Sequence, residues 1–466
     1  MTLAHRYQQA YEQANRYDQE HILKFWDELT NEQRANLLRQ AESIDYAFIE
    51  EQFAKQARQR PDIDGIEPPV IVEKRKVSDH AKKKGLAALR KGKVAVFIVA
   101  GGQGSRLGFA GPKGCYPMTP LKRKPIFQIL AEKVLAANKA YGTDLETYIM
   151  TSDTNHDTTV SFFEDNDYFG LDKDKVMFFK QHMYPIVDEQ GKILLKNKHE
   201  IAMAPSGTGG IYRALHRGGI LDRMRERNID MLHYFHVDNP LVDVADPVLI
   251  GQHVFEEAEM SNKVVEKAYP EEPVGVLVQD GDKLRAVEYV FMLEELLYAK
   301  DEDGQLKYRA ANIGNHVIAR DFVERVAKHA NFPLILAHKK VPYINLLGER
   351  ITPLKPNAYK FESFVFDALP MAENPVVLSV PREEEFAPIK NAEGKDSPDS
   401  AHNLMNAQAK RWLQAAGVDK EVIDRLEAVE ISPLFAHTEE RFVQQAKPHV
   451  RLLDKRLRGQ SKAYLQ

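Results

Sequence analysis

The chain has 466 residues, 43% of them hydrophobic and 28% charged, so it can bury a large core and divide into two or three domains. Lys and Arg number 64 against 68 Asp and Glu, and the net charge of −4 excludes a general attraction to nucleic acid or to an anionic membrane. The single cysteine, Cys115, excludes an intramolecular disulfide, and the polar N-terminal sequence lacks the order of a signal peptide. We therefore expect a cytoplasmic protein without a nucleic-acid or membrane partner.

Residues 1–92 are predicted to form a helical N-terminal region. Apolar residues recur there at helical spacing in two stretches, Ile22, Phe25, Trp26 and Leu29, then Leu37, Leu38, Ala41 and Ile44. The sequence RPDIDGIEPP, residues 60–69, interrupts the helices, and SDHAKKKGLAALRKGK predicts one more helix before the first strand. We interpret the lysine run at 82–84 as a solvated helix face.

Residues 93–400 alternate between short apolar runs and helical segments. Strands that are buried on both faces appear as unbroken apolar runs, so this alternation predicts an α/β domain with a central mixed, mostly parallel sheet. The predicted strands are VAVFIVA, TYIMTS, VMFFKQ, MLHYFHVDN, VGVLVQ, ANIGNHVIA and NPVVLSV. Residues 401–466 return to helical periodicity and are predicted to form a small, mainly helical C-terminal region.

The stretch VAVFIVAGGQGSRLGFAGPKGCYPM, residues 94–118, joins a buried strand to a glycine-rich bend. Such a bend exposes backbone N–H groups that attract phosphate. It is not a P-loop, and the spacing of Gly102, Gly104 and Gly108 has one residue too many for a dinucleotide fingerprint. Arg106 and Lys113 add positive charge beside the glycines, as is needed where charge develops on a leaving pyrophosphate. The stretch therefore favours a nucleoside triphosphate over a nicotinamide cofactor.

The motif AGGQGSRLGFAGPK resembles the signature of the UDP-sugar pyrophosphorylases of the eukaryotic type, in particular the branch that acts on UDP-N-acetylhexosamines. The resemblance covers residues 94–400 and includes four later blocks in the same order: APSGTGGIYRAL, HYFHVDNPLVDVADPVLIG, NAYKFESFVFDAL and REEEFAPIKNA. It implies a Rossmann-like nucleotidyltransferase domain over residues 93–400. The implied reaction joins UTP to a sugar 1-phosphate and releases a UDP-sugar and pyrophosphate.

The resemblance also implies which residues bind the nucleotide. The backbone of Gly101 and Gly102, together with Gln181, would surround the base, and the implied nucleotide-binding residues also include Val99, Ala100 and Gly207. Asp238, at the end of an apolar strand, would hold Mg²⁺ against the nucleotide phosphates, and a carboxylate suits that metal. His233 and His236 lie on the same strand, and we interpret them as structural because the spacing of acidic residues does not fit a zinc site.

A second implied set of residues encloses the sugar, with amide and carboxylate groups for its hydroxyls and aromatic faces for its ring. These residues are Thr208, Glu288, Tyr289, Asn312, Asn315, Phe364 and Phe366. We expect at least one of the two phenylalanines to be a core residue instead. Thr208 stands where relatives that act on N-acetylglucosamine usually carry asparagine, so sugar recognition could differ from theirs at this position.

The implied chemistry needs no general base, because the attacking phosphate oxygen is already ionised near neutral pH. Catalysis would therefore depend on in-line positioning and on charge stabilisation. The predicted catalytic cations are Arg106, Lys113, Lys360 and Lys390. N-acetylglucosamine 1-phosphate is the expected substrate, with glucose or galactose 1-phosphate and broad specificity as alternatives. A non-catalytic nucleotide-sugar binding protein is the more distant alternative. The sequence does not indicate the oligomeric state.

Overall fold

The computed structural model describes residues 2–56, 63–329 and 332–466. Part of the predicted helix break, residues 60–62, lies outside the described residues, and the rest of it, residues 63–69, contains no helix. The helices are α1 Leu3–Arg16, α2 Asn31–Ser43, α3 Tyr46–Gln56, α4 Asp79–Arg90, α5 Ile126–Tyr141, α6 His156–Asp165, α7 Ile211–Arg217, α8 Ile220–Glu226, α9 Pro247–Phe255, α10 Glu294–Leu297, α11 Arg320–Ala327, α12 Arg382–Glu385, α13 Pro398–Ala416, α14 Lys420–Arg425, α15 Glu439–Ala446 and α16 Val450–Leu457.

The strands are short, and many have only two or three residues. They are β1 Val72–Glu73, β2 Val94–Val99, β3 Thr147–Thr151, β4 Val176–Lys180, β5 Met183–Pro185, β6 Val187–Asp188, β7 Leu195–Asn197, β8 Glu200–Ile201, β9 Met203–Pro205, β10 Met231–His236, β11 Met260–Glu266, β12 Val276–Asp280, β13 Lys283–Val287, β14 Ala310–Ala319, β15 Ile335–Lys339, β16 Tyr343–Ile344, β17 Arg350–Ile351, β18 Ala358–Glu362, β19 Val376–Ser379, β20 Ala428–Ile431 and β21 Lys462–Leu465. All seven predicted strands are present, as β2, β3, β4, β10, β12, β14 and β19.

The chain forms two compact units that are not continuous in sequence. The first unit comprises Met1–Asp62, Gln181–Arg213 and His329–Ala368, and the second comprises Ile63–Lys180, Ala214–Lys328 and Leu369–Gln466. This division by contacts does not follow the predicted boundaries near residues 92 and 400, because two internal segments join the N-terminal helices. The division into three regions by chain position stays a prediction.

The second unit is built on the large sheet, whose strand order is β1-β19-β11-β14-β10-β2-β3-β4. β4, β3, β2 and β10 are parallel, as are β11, β19 and β1, while β14 runs antiparallel to both of its neighbours. The hairpin of β12 and β13 attaches to β14. The sheet is therefore mixed and mostly parallel, as predicted from the continuous apolar runs.

Both faces of this sheet are buried. On one face, aliphatic residues of β2 pack in a core with α5 and α9, represented by Val96, Ile98 and Leu130. The other face carries large aromatic side chains, including Phe97 and Tyr234, whose rings meet edge to face at 5.4 Å. Burial on both faces explains why β2 contains only apolar residues.

The first unit packs the N-terminal helices against small antiparallel sheets. Its core contains Leu37 and Leu38 of α2 together with Phe361 of β18. The helix predicted from Leu37 onward is confirmed as α2, which Thr30 and Gln33 cap reciprocally. Residues 20–23 and 26–28 form separate 3₁₀ turns, so the prediction of a continuous helix through Ile22 and Leu29 was wrong.

The predicted C-terminal helices are present in the second unit as α13 to α16, together with a parallel pair of strands, β20 and β21, that the periodicity did not indicate. Trp412 and Leu413 of α13 are buried in the core of this part of the chain. Among the described residues, no helix is both long enough and apolar enough to span a bilayer.

Candidate functional site

The glycine loop after β2 is folded back on itself by backbone hydrogen bonds. The N–H of Gly104 donates to the carbonyl of Gly111 at 2.8 Å, and the N–H of Lys113 donates to the carbonyl of Gly102 at 3.1 Å. The side-chain amide of Asn155, which is 1% exposed, donates to the carbonyl oxygens of Ala100 and Gly102 at 2.8 and 3.3 Å. The loop is therefore held at both of its ends in one conformation.

These contacts use the carbonyl groups of the loop and leave N–H groups available. In the part of the chain that the structure describes, no hydrogen bond uses the N–H groups of Gly101, Gly102 or Gln103. Gly102 is exposed, and a Cβ added to it would meet no atom within 4 Å. Successive free N–H groups form a concave site that suits an anion or a carbonyl oxygen. This arrangement fits the predicted nucleotide contacts of Gly101 and Gly102, whereas backbone groups of Val99 and Ala100 already form hydrogen bonds within the protein, so the contacts of those two residues stay predictions.

Lys113 and Asp238 lie together at the carboxyl ends of the neighbouring parallel strands β2 and β10. The Lys113 ammonium donates to Oδ2 of Asp238 at 3.2 Å and to the carbonyl of Ile389 at 3.1 Å. The lysine and aspartate side chains are 15% and 18% exposed. Ligand sites of open α/β sheets form at this edge of the sheet. The pair therefore joins a cation and a carboxylate where the sequence predicted both.

The carboxyl of Asp238 is ionised at neutral pH. Burial by itself would raise its pKa, but Lys113, His236 and Lys390 act together to lower it below the ordinary value. Lys390 is 45% exposed, and its ammonium lies 3.8 Å from Asp396. Arg106 is exposed, and among the described residues it forms no ion pair. The second unit thus places Lys113 and Lys390 where their charges act on the Asp238 carboxylate, and the exposed Arg106 and Lys390 remain open to an anionic ligand.

Three of the predicted sugar residues lie on the β13–β14 part of the second unit. Glu288 directly follows β13, and burial raises the pKa of its carboxyl while Lys390 opposes that shift. Tyr289, the next residue, is 43% exposed. Asn312 is partly exposed on β14, and its side-chain oxygen accepts from the Gly314 N–H at 3.0 Å. Tyr289 is therefore exposed, and Glu288 and Asn312 are both partly exposed.

Asn315 differs from Asn312 because it is 1% exposed and already has a partner. Its side-chain oxygen accepts from Nε2 of His233 at 2.8 Å, and Nδ1 of that histidine accepts from the Ala245 N–H at 3.0 Å. Both ring nitrogens of His233 are used inside the protein, which agrees with its interpretation as structural. Burial lowers the pKa of this histidine to about 4. The side-chain oxygen of Asn315 is used inside the protein, whereas its Nδ2 has no hydrogen-bond partner among the described residues, and its predicted sugar contact stays a prediction.

In the first unit, the turn of residues 206–210 is bound to the segment of residues 363–365. The N–H of Ser363 donates to the carbonyl of Ser206 at 3.0 Å, and the N–H of Gly209 donates to the carbonyl of Ser363 at 2.8 Å. Gly207 has φ +74°, and a Cβ there would lie 2.4 Å from the Ser363 oxygen. Glycine is therefore required at position 207 both by its conformation and by this close approach.

The remaining candidates of the first unit are partly exposed. The rings of Phe364 and Phe366 are stacked, with centroids 5.0 Å apart and planes 9° apart, and neither ring is fully buried. The expectation that at least one of them is a core residue was therefore wrong, and Val365 between them is the buried residue. Gln181 and Lys360 are both half-buried. The binding roles of these residues stay predictions.

The sequence analysis missed Asn155, although a signal was available. The sequence SDTN follows β3 directly, and polar residues after a buried parallel strand commonly lie at the ligand edge of the sheet. The side chain of Asn155 is not free for a ligand, because it accepts from the Ser152 N–H at 2.8 Å and donates to the glycine loop. Its contribution is to orient that loop.

A glycine loop with free N–H groups, a lysine–aspartate pair and further cations at the carboxyl edge of a mostly parallel sheet define an α/β nucleotidyltransferase. The sequence matches the UTP–glucose-1-phosphate uridylyltransferase family over residues 42–453. The chain belongs to this family of UDP-sugar pyrophosphorylases, and the prediction of the family, the fold and the enzyme class is confirmed.

The chain is 40% identical to human UDP-N-acetylhexosamine pyrophosphorylase-like protein 1 over 428 residues, which cover 86% of this chain and 84% of that protein. It is 37% identical to UDP-N-acetylglucosamine diphosphorylase 2 of Arabidopsis thaliana over 453 residues, 91% of this chain and 88% of that protein. Among solved structures, the uridine diphosphate N-acetylglucosamine pyrophosphorylase of Trypanosoma brucei superposes with a TM-score of 0.84 at 27% identity, over 100% of this chain and 98% of that one.

Proposed function

We propose that this protein transfers a uridylyl group from UTP to N-acetylglucosamine 1-phosphate, forming UDP-N-acetylglucosamine and pyrophosphate. The observation that carries the proposal is the contact of Lys113 with Asp238 at the strand ends, beside the free N–H groups of Gly101 and Gly102. A triphosphate needs both features, since its negative charge must be stabilised and its oxygens must be approached closely by backbone N–H groups of the protein.

The reaction forms one bond and breaks one bond at the α-phosphorus of UTP. An oxygen of the sugar phosphate attacks that phosphorus in line, and the bond to the bridging oxygen breaks, so the pyrophosphate carries away the electron pair. Lys113 uses two of its three N–H donors within the protein and retains one for phosphate. Arg106 and Lys113 would stabilise the leaving pyrophosphate, and Lys390 would neutralise the incoming phosphate.

Asp238 fits the predicted Mg²⁺ site. Its carboxyl is ionised, and among the described residues the hydrogen bond from Lys113 occupies only Oδ2. Hard carboxylate oxygens together with substrate phosphates are the ligands that Mg²⁺ prefers. When bound, the metal would supply positive charge against the phosphate oxygens. The hydrogen bond from Lys113 to Oδ2 holds the carboxylate in position.

The sugar assignment rests on the names of the relatives in animals, plants and yeast, which refer to N-acetylhexosamine or N-acetylglucosamine. Glucose 1-phosphate remains the second candidate, since the family as a whole is described by that substrate. Thr208 is a reason to keep glucose 1-phosphate as a candidate substrate. The hydroxyl of threonine has fewer hydrogen-bonding groups than an asparagine amide, and it already accepts from the Val365 N–H at 3.1 Å.

Product analysis after mixing the protein with UTP, Mg²⁺ and each sugar 1-phosphate tests the proposal. We expect UDP-N-acetylglucosamine and pyrophosphate, no reaction with ATP, and kcat/KM higher for N-acetylglucosamine 1-phosphate than for glucose 1-phosphate. A ratio below one would transfer the assignment to glucose, and binding of UTP without turnover of any sugar would indicate a nucleotide-sugar binding protein. Thr208→Asn in the same assay tests whether this position affects the ratio.

A further inference from the structure

The residue that follows Asp238 connects two parts of the second unit. Asn239 is 4% exposed, and its side-chain nitrogen donates to the carbonyl of Glu385 at 2.7 Å. Its side-chain oxygen accepts from the Ala387 N–H at 3.0 Å and from the Leu241 N–H at 3.3 Å. The amide is therefore bonded at both of its ends, to the loop after β10 and to the segment after α12.

These bonds set the two segments side by side. The Ile389 N–H donates to the carbonyl of Asp238 at 2.9 Å, and the Ile389 carbonyl accepts from Lys113 at 3.1 Å. Lys390 is the next residue, and its own N–H donates to the carbonyl of Asp396 at 2.6 Å. The backbone that carries Lys390 is thus aligned along the backbone that carries Asp238, and Asn239 provides the side-chain bonds of that alignment.

The far end of the same segment is anchored in the core. The Glu385 carboxylate pairs with Lys263, which is fully buried, and with Lys74 at 2.5 Å. The same two lysines pair with Asp246 at 2.6 and 2.9 Å. Since this ion cluster fixes the start of the segment, the bonds of Asn239 control the course of the next few residues up to Lys390.

The chemistry of the position requires an amide. An aspartate would place a negative oxygen against the Glu385 carbonyl and a second charge next to Asp238. Alanine would leave a buried carbonyl and a buried N–H without their side-chain partners, and each loss costs about 1–3 kcal/mol. A single amide supplies one donor and one acceptor at fixed separation, which matches the carbonyl of Glu385 and the N–H two residues later.

We infer that Asn239 is a positioning residue that holds Lys390 in register with Asp238 for the transfer step. The inference rests on the proposed function, in which both of those residues face phosphate groups. Asn239 itself has its polar atoms occupied by the protein and does not contact the reacting atoms. Its effect on the reaction is therefore expected to pass through Lys390.

A double-mutant cycle with UTP and N-acetylglucosamine 1-phosphate tests this. We expect Asn239→Ala to lower kcat by about 10–100-fold, because a displacement of about 1 Å in a positioned group can cost that much. In a Lys390→Ala background, the same substitution is expected to cost less than about threefold, since coupled residues are not additive. KM for UTP should change little.

Asn406→Ala is the matched control. The Asn406 amide donates to the carbonyl of Glu427 and accepts from the Val429 N–H, both at 2.9 Å, in the same pattern as Asn239 but away from the candidate site. We expect its kcat to equal that of the wild type. If Asn239→Ala does not fold, Asn239→Ser is used in both backgrounds, and it should again act only when Lys390 is present.

Two results would overturn the inference. If the effects of Asn239→Ala and Lys390→Ala on kcat multiply in the folded double variant, Asn239 does not act through Lys390. If the wild type turns over no sugar 1-phosphate, the proposed function fails as well. Turnover by the wild type with multiplicative effects refutes the positioning role alone.

Discussion

The hydroxyl oxygen of Thr208 accepts a hydrogen bond from the Val365 N–H at 3.1 Å. The carbonyl on the other side of Val365 accepts a hydrogen bond from the Tyr212 hydroxyl at 2.7 Å. Val365 lies between the stacked rings of Phe364 and Phe366. Thr208 therefore contributes to the orientation of both rings, in addition to any contact that it makes with a sugar.

Thr208→Val keeps the size of the side chain and removes the acceptor for the Val365 N–H. A loss of about 1–3 kcal/mol is typical when a polar group loses its partner. We expect KM for the sugar 1-phosphate to rise by about tenfold, while KM for UTP is unchanged. Thr208→Ser keeps the oxygen and serves as the control. Equal KM values for the valine and serine variants would show that the hydrogen bond to Val365 is not needed.

Lys113→Ala and Arg106→Ala are each expected to lower kcat by about 10²–10³, the usual loss for one preorganised charge-stabilising group. The two variants should differ in their pH dependence. Lys113 lowers the pKa of Asp238, so its removal raises that pKa and moves the acid limb of the kcat profile to higher pH. Lys83→Ala, on the exposed side of α4, is the control. A decrease below about fivefold in the first two variants would remove both residues from the site.

Cys115 lies two residues after Lys113 and could be mistaken for a nucleophile. Burial raises the pKa of its thiol to about 12, so it is protonated at neutral pH, and the attack by a phosphate oxygen needs no thiolate. We expect Cys115→Ser to keep most of the activity of the wild type in the same kcat measurement. Abolished turnover in a variant with unchanged thermal stability would contradict direct displacement.

Buried histidines should make the second unit sensitive to acid. Burial lowers the pKa of His233 and His253 to about 4 and that of His316 to about 3, whereas an unfolded histidine titrates near 6.5. Between these values the unfolded chain binds more protons than the folded chain, so the free energy of unfolding decreases as the pH falls from about 6.5 to 4.

The measurement is Tm as a function of pH for the wild type and for His233→Gln. For His233 alone, the difference between the two pKa values corresponds to about 3 kcal/mol. Glutamine cannot take up the proton, so the variant should lose less stability between pH 6.5 and pH 5 than the wild type does. The same slope in both proteins would mean that His233 is not a source of the acid sensitivity.

The sequence by itself determined the sheet and the positions of the chemistry along it. Mainly apolar runs such as residues 94–99 and 231–236, the second of which includes two histidines, can be buried on both faces, and this property is local to each run. Asp238 follows the second run with one residue between them, and the glycine loop leads from the first run to Lys113, so the edge of the sheet on which they lie could be predicted. The polar residues that follow β3 could have indicated in the same way that Asn155 lies at this edge of the sheet.

Only the tertiary structure decided which of these groups contact each other and which are already hydrogen-bonded within the protein. Lys113 and Asp238 are far apart in sequence, and their contact depends on the pairing of β2 with β10. Asn312 and Asn315 have the same chemistry on one strand. A register irregularity in the pairing of β14, where Gly314 has φ +66°, leaves Asn312 partly exposed and Asn315 bound to His233. A side chain's partners are set by strands that lie elsewhere in the sequence, and local pattern cannot specify them.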